Sequence, residues 1–296
     1  MIFRKDWEQD RFTWTISQAT CKFKKVLYLW RMVNDRLKYK NYAPYLSKGL
    51  PILIFLVGLW YFCFRILGSG LEFIPGDMGD SRFINYLLEH GYQWSTGNSP
   101  SFWNAGFMFP YQDSIAFSDN MLGTMPFYGL WRMFGFNQET SYQLWWIVIC
   151  SLNYWSAYYV MKRWFNRWDL AIIAAWIFAF TIFNLGQMNY MQMMIRFMVP
   201  IVIYSGIRLV DTSSWKYFAV FALGIVYQFY GVIYTGFFLM YFSGFLIVVY
   251  AIIQKKYLFF VPLFKKNQIL YTGVSGILAI VLLAWLMLPY YEMSQL

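Results

Sequence analysis

Residues 50–67 read LPILIFLVGLWYFCFRIL, an apolar run whose single charge, Arg65, stands near its end. A helix of these 18 residues, at about 1.5 Å each, comes close to the ~30 Å hydrocarbon core of a bilayer. The rest of the chain has the same character. Of 296 residues, 59% are apolar and 24% aromatic, while 13% are charged; an average soluble domain has about 25% charged residues. So few charges cannot cover so much apolar surface in water, which excludes a soluble globular class. The 25 Tyr and 15 Trp suit the belts found at membrane–water interfaces.

Immediately upstream, residues 1–48 hold eleven Lys and Arg against four acids. A basic flank on a first span fixes orientation, so the N-terminus is expected in the cytoplasm. The net charge of +10 then reflects orientation and anionic headgroups, worth ~1 kcal/mol per basic side chain near the surface, and nucleic acid is not an expected partner. The polar lead is too long for a secretory signal. With no N-glycosylation sequon in the chain, a bacterial inner membrane fits best. The division expected is a basic cytoplasmic segment, 1–48, and a transmembrane domain, 49–296. Cys21, Cys63 and Cys150 do not read as a disulfide framework.

Downstream, the polar stretch 68–120 contains Glu72, Asp77, Asp80, Glu89, Asp113 and Asp119, with Arg82 its only base. Residues 121–136 are apolar but interrupted by Pro126, Gly129 and Arg132. If they lie in the interface, Tyr142–Met161 runs inward and the basic cluster Lys162-Arg163…Arg167 falls inside. If they span, that cluster is forced outside, so an interfacial placement is expected, making 68–136 one outer loop. The spans Leu170–Gln187, Phe197–Val210, Tyr217–Tyr230, Val232–Ile253 and Ile269–Leu288 then alternate, for seven in all. The expected fold class is an all-α polytopic membrane protein of about seven transmembrane helices, with interfacial helices in a long outer loop.

A loop of that length usually has a task. Asp80-Ser81 can cap a helix whose apolar residues Phe83, Ile84, Leu87 and Leu88 share a face, which would lie on the membrane. Ser118-Asp119 can cap the next segment at Asn120. Asp77 and Asp80, beside Gly76 and Gly79, can share a divalent cation such as Mg²⁺ or Mn²⁺, supply a general base, or simply form a turn and cap. Glu89-His90, with the chain's single His, reads as a solvated interfacial pair or as ligands. The aromatic stretch 101–111, with Trp103 and Phe107, suits docking to a partner.

A second constellation is Gln187-Met188-Asn189-Tyr190-Met191-Gln192, followed by Arg196. Arginine at the edge of hydrocarbon is costly unless paired or solvated, and its fork suits a phosphate; snorkelling to the interface is the plain alternative. Gln143, Asn153 and Gln228 read as hydrogen-bonding glue between helices. There is no P-loop, dinucleotide fingerprint, zinc spacing or serine-hydrolase elbow.

The stretches Gly76-Asp77-Met78-Gly79-Asp80-Ser81-Arg82-Phe83, Leu88-Glu89-His90-Gly91, Phe102-Trp103, Phe109-Pro110 and Ser118-Asp119-Asn120, with Gln187…Gln192…Arg196-Phe197, carry a resemblance. In the order of their elements they resemble the GT-C superfamily of integral-membrane glycosyltransferases, and most closely uncharacterised bacterial proteins placed near it. The likeness covers roughly residues 50–210. It implies transfer of a sugar from a polyprenyl-phosphate donor to an acceptor on the outer face, with inversion. Asp77 or Asp80 would activate the acceptor hydroxyl or hold Mg²⁺ or Mn²⁺. Asp119 would be a second carboxylate and Arg196 the phosphate partner. Arg82, Glu89, His90, Trp103, Asn120, Gln187, Asn189 and Gln192 complete the implied substrate-binding set. Relatives often continue past a seventh span, so a fragment or a minimal version is expected. Two other readings stand beside this one: a transporter or lipid-handling protein, and a non-catalytic scaffold subunit of an envelope-polysaccharide assembly.

Overall fold

The structure, a computed structural model, describes residues 44–68, 70–181, 186 and 189–295. Residues 1–43, with Cys21, and Gln187 and Met188 lie outside the described residues. The chain divides into two units, Met1–Lys48 and Gly49–Leu296. The described residues are all-helical, with no strand among them.

Among the described residues, three helices are long and apolar enough to cross a membrane: α1 (Ser47–Leu67), α8 (Ile233–Ile253) and α9 (Ile269–Met293). The other helices fall short of the seven expected spans for two different reasons. The helix α5 (Trp168–Phe180) has 13 residues, α6 (Met198–Thr212) has 15 and α7 (Trp215–Gly231) has 17. By contrast α4 (Gln138–Phe165) has 28 residues, but its length includes Gln143, Asn153, Lys162 and Arg163, which dilute its hydropathy. The expected span to Gln187 breaks at Thr181, where the backbone turns extended.

Two further helices belong to the loop. The helix α2 spans Asp80–Ser95 and α3 spans Met125–Met133. The nine residues of α3 reach only about 13 Å, too short to cross. The apolar face of α2 was expected against lipid, and here the structure differs. Ile84, Leu87 and Leu88 are buried in the protein core together with Phe62, Leu67, Tyr142 and Trp145. Apolar periodicity marks a face for burial without saying what covers it.

Packing is close where glycine permits it. A Cβ at Gly58 in α1 would strike the Phe180 ring of α5. At Gly206 in α6, a Cβ would sit 2.6 Å from Ile247 of α8. Small residues at such crossings let helices approach where no hydrophobic force drives them together.

Hydrogen bonds gather the helix ends into two groups. At one end Gln143 of α4 reaches the segment after α1, Asp119 meets the start of α8, and Tyr290 of α9 donates to the Ser118 carbonyl at 2.8 Å. At the other, the Lys256 ammonium after α8 meets Asp211 of α6 at 3.0 Å. There too Trp215, opening α7, donates its N–H to Gln268 before α9 at 2.9 Å. The first end carries the acidic loop, while the second carries Arg208, Lys216, Lys255, Lys256, Lys265 and Lys266.

Candidate functional site

The chain leaves α1 through Gly68 and Gly76, whose positive φ values of 80° and 89° fit glycine. Gln143 pins this irregular stretch from α4, its amide donating to the carbonyls of Leu71 at 2.8 Å and Phe73 at 2.7 Å. Asp77 follows. Its Oδ1 accepts the N–H of Gly79 at 3.2 Å and of Ser81 at 3.3 Å. The cap of α2 is therefore Asp77, reaching forward over the Gly79 N-cap, and not Asp80-Ser81. Asp80 is instead the first helical residue, where its charge complements the helix dipole.

Asp77 stands in the wall of a cavity of about 530 Å³ shared with Arg82, Glu72, Asn137, Glu139 and Gln143. The two hydrogen bonds to Asp77 both use Oδ1, so Oδ2 remains for a ligand. Asp80 does not line this cavity. Among the described residues no group of three or more His, Cys, Asp or Glu side chains is placed to hold a metal ion. Of the expected Asp77–Asp80 pair, Asp77 alone lines this cavity.

A second cavity, of about 390 Å³, adjoins the first through Arg82 and Glu139 and is lined further by Asn85, Glu89, His90 and Gln93. Glu89 is buried. It accepts from Gln93 (2.6 Å), Tyr128 (2.6 Å) and two nitrogens of Arg132 (2.8 and 3.1 Å). Burial pushes the Glu89 carboxyl up, but the hydrogen bonds from Arg132, Tyr128 and Gln93 outweigh it and hold the group below its ordinary value. Burial and the bond to Glu89 push the Tyr128 phenol well up. This network ties α2 to α3. The His90 ring, through Nε2, bonds the Phe102 carbonyl at 2.8 Å, with the carbonyl as acceptor.

Three of the expected binding residues, Asp119, Asn120 and Trp103 of the loop, line neither of these cavities and pack elsewhere. The Asp119 Oδ1 accepts the Ile233 N–H at 2.8 Å, capping α8 and not the segment at Asn120. Asp119 is 3% exposed, and burial pushes its carboxyl up to about 6 against the opposing amide bond. Asn120 donates to the Phe229 carbonyl at 3.0 Å and accepts the Leu122 N–H at 3.0 Å. Beside them Gly123 donates to the Tyr230 carbonyl at 2.6 Å. A Cβ on Gly123 would lie 3.1 Å from the backbone of Tyr230 and Gly231, so the loop lies directly on the α7–α8 break. Trp103 packs edge-on against Tyr290 at 5.8 Å and near Trp285 at 6.3 Å, both of α9.

Of the second constellation, Met191 and Gln192 belong to a 3₁₀ turn, Met191–Met194, which packs against α2. Met191 and Met194 are buried and serve packing. Asn189 is exposed and Gln192 half-buried. The Arg196 guanidinium lies over the Phe178 ring at 5.5 Å and lines neither cavity. Asn153 of α4 donates to the Met194 carbonyl at 2.7 Å, and Gln228 of α7 donates to the Ile195 carbonyl at 2.7 Å. The three amides expected to join helices instead each hold a segment outside the α-helices, whose carbonyls lipid cannot satisfy.

Sequence reading missed Asn137 and Glu139 in the cavity wall. Asn137 accepts the Thr140 N–H at 2.8 Å and caps α4, and an Asn followed by an acid before a long apolar run is a legible helix start. No known protein family, curated protein or solved structure matches this chain.

Proposed function

We propose that the chain is a membrane glycosyltransferase that moves a sugar from a polyprenyl-phosphate donor to an acceptor hydroxyl at the outer face, in a seven-span arrangement like that of the GT-C superfamily. The observation that supports this most is the pairing of Asp77 and Arg82 in one cavity of about 530 Å³, within the range of small-molecule sites. The cavity opens beside the end of a membrane-spanning helix, where a lipid-borne donor would present its headgroup.

In this reading the Asp77 Oδ2 takes the proton of the acceptor hydroxyl as its oxygen attacks the anomeric carbon. The bond from that carbon to the phosphate oxygen breaks, and its electron pair leaves with the polyprenyl phosphate. Arg82, which shares the cavity, receives the phosphate in place of Arg196. One displacement gives inversion. Mg²⁺ or Mn²⁺ is not assigned a step. The chain would work in a bacterial inner membrane with its N-terminus cytoplasmic, among membrane lipids and with envelope-assembly partners.

The test is release of labelled sugar from polyprenyl-phosphate donors by protein in lipid, with added Mg²⁺ or Mn²⁺ and with EDTA. Turnover lost in Asp77→Asn and Arg82→Gln, with the fold intact, supports the proposal. Turnover unchanged in both variants overturns it.

The scaffold reading gains one observation. Trp103 and Phe107 face protein, but Met108, Phe109 and Tyr111 are 58%, 92% and 54% exposed. That bare tip would dock a partner; in that case Phe109→Ser abolishes a complex that Asp77→Asn leaves intact.

A further inference from the structure

We infer that the α8–α9 connection, residues 254–268, is a docking site for the phosphate headgroup of an anionic phospholipid, with Lys255 as its primary contact. The connection joins two helices of membrane-spanning length and composition, so it sits where hydrocarbon meets headgroups. Leu263 is buried, but three of its apolar side chains are not covered by protein: Tyr257, Leu258 and Phe264 are each at least 60% exposed. Lys255 and Lys256 precede this patch, and Lys265 and Lys266 follow it. Apolar residues bracketed by lysines complement a leaflet in which acyl chains lie beneath anionic phosphates.

A cavity of about 410 Å³ opens here, with Lys255, Lys256, Tyr257 and Ser213 in its wall. The charges around it do not cancel. Asp211 is engaged by the Lys256 ammonium at 3.0 Å, by the Tyr250 hydroxyl at 3.2 Å and more loosely by Arg208 at 3.8 Å. Lys256 and Asp211 therefore form a fixed wall, while the exposed Lys255 adds its charge.

The backbone at Lys255 gives an independent argument. The helix α8 closes with the Lys256 N–H on the Ala251 carbonyl at 2.9 Å and the Lys255 N–H on the Ile252 carbonyl at 3.1 Å. This places Lys255 at the left-handed position of a Schellman cap, with φ of 55°. Glycine is the usual occupant of that position, because a Cβ is strained there. A lysine at such a site is a poor choice for backbone stability and a good one for binding an anion.

Lys255→Gly therefore separates the two roles. The test is lipid retention by native mass spectrometry of the full chain, from vesicles of phosphatidylglycerol or of phosphatidylcholine, with inorganic phosphate as competitor. Expected are preferential retention of phosphatidylglycerol and a roughly fivefold loss in Lys255→Gly, the equivalent of ~1 kcal/mol for one basic side chain. Lys255→Arg should retain the lipid. Thermal stability of Lys255→Gly should be equal to or above that of the parent chain. Equal retention of the two lipids, unchanged retention in Lys255→Gly, or displacement by inorganic phosphate alone would each overturn the inference.

Discussion

Asp119 accepts the backbone N–H of Ile233 at 2.8 Å across 114 residues of chain, so a carboxylate of the acidic loop caps a helix of membrane-spanning length. The bond is made while burial pushes the same carboxyl up to about 6, from an ordinary value of about 4.

The pH dependence follows from that shift. With its folded pKa raised, Asp119 holds more protons in the folded state than in the unfolded state between about pH 4 and 6. Stability contributed by this group is present at low pH and is lost as pH rises through about 6. Thermal unfolding at pH 5 and pH 7.5 should show the parent chain more stable at the lower pH, and Asp119→Asn should flatten that difference. A flat profile in the parent chain would count against it. Glu89 works in the opposite sense: its lowered carboxyl contributes stability above the ordinary glutamate range and loses it as pH falls further.

Removing Glu89 leaves Arg132 and Tyr128 facing each other without their shared acceptor. Glu89→Ala should cost about 2 kcal/mol, as for hydrogen-bonded groups left without their partner at a part-buried site. Arg132→Gln, which retains a donor, should cost less. Denaturation midpoints of both variants in detergent would show the order.

Asp77 carries two roles that substitution can separate. Asp77→Asn keeps an Oδ1 acceptor for the amides of Gly79 and Ser81, so stability should change little while any chemistry at the cavity is lost. Asp77→Ala should lose the chemistry and also about 1 kcal/mol of helix-cap stability. Paired activity and melting measurements distinguish the two effects.

Gln143→Leu should disturb the cavity without touching its charged groups. Two backbone carbonyls, Leu71 and Phe73, lose their donor, at a cost of about 2 kcal/mol. Proteolysis within residues 68–76 should quicken in the variant; an unchanged cleavage rate would argue that the loop is held by other contacts.

What the sequence made legible tracks the range of the forces involved. The apolar helices α1, α8 and α9 fall within a few residues of the expected spans, because long apolar runs are set by local composition. The face of α2 was legible, but its burial against Phe62 and Trp145 was not, since lipid and protein interior select the same side chains. Asp77 was legible as a capping candidate through its glycines, though the cap begins farther upstream than Asp80-Ser81 suggests. The partners of Asp119 and Asn120 lie more than 100 residues away, beyond any local pattern. Arg196 was singled out for its isolation in the sequence, whereas the arginine that shares a cavity with Asp77 is Arg82, also a member of the expected binding set.

The buried amides Asn153 and Gln228 have a consequence for biogenesis. Hydropathy governs whether a segment enters the bilayer, and on that scale leucine at either position would be an improvement. Yet each amide holds the carbonyl of a residue between helices, Met194 or Ile195. Exchanging them for leucine should give a chain that inserts more readily and completes its tertiary structure less well. Entry into the membrane and maturation of the irregular segments are thus governed by opposing demands on the same side chains.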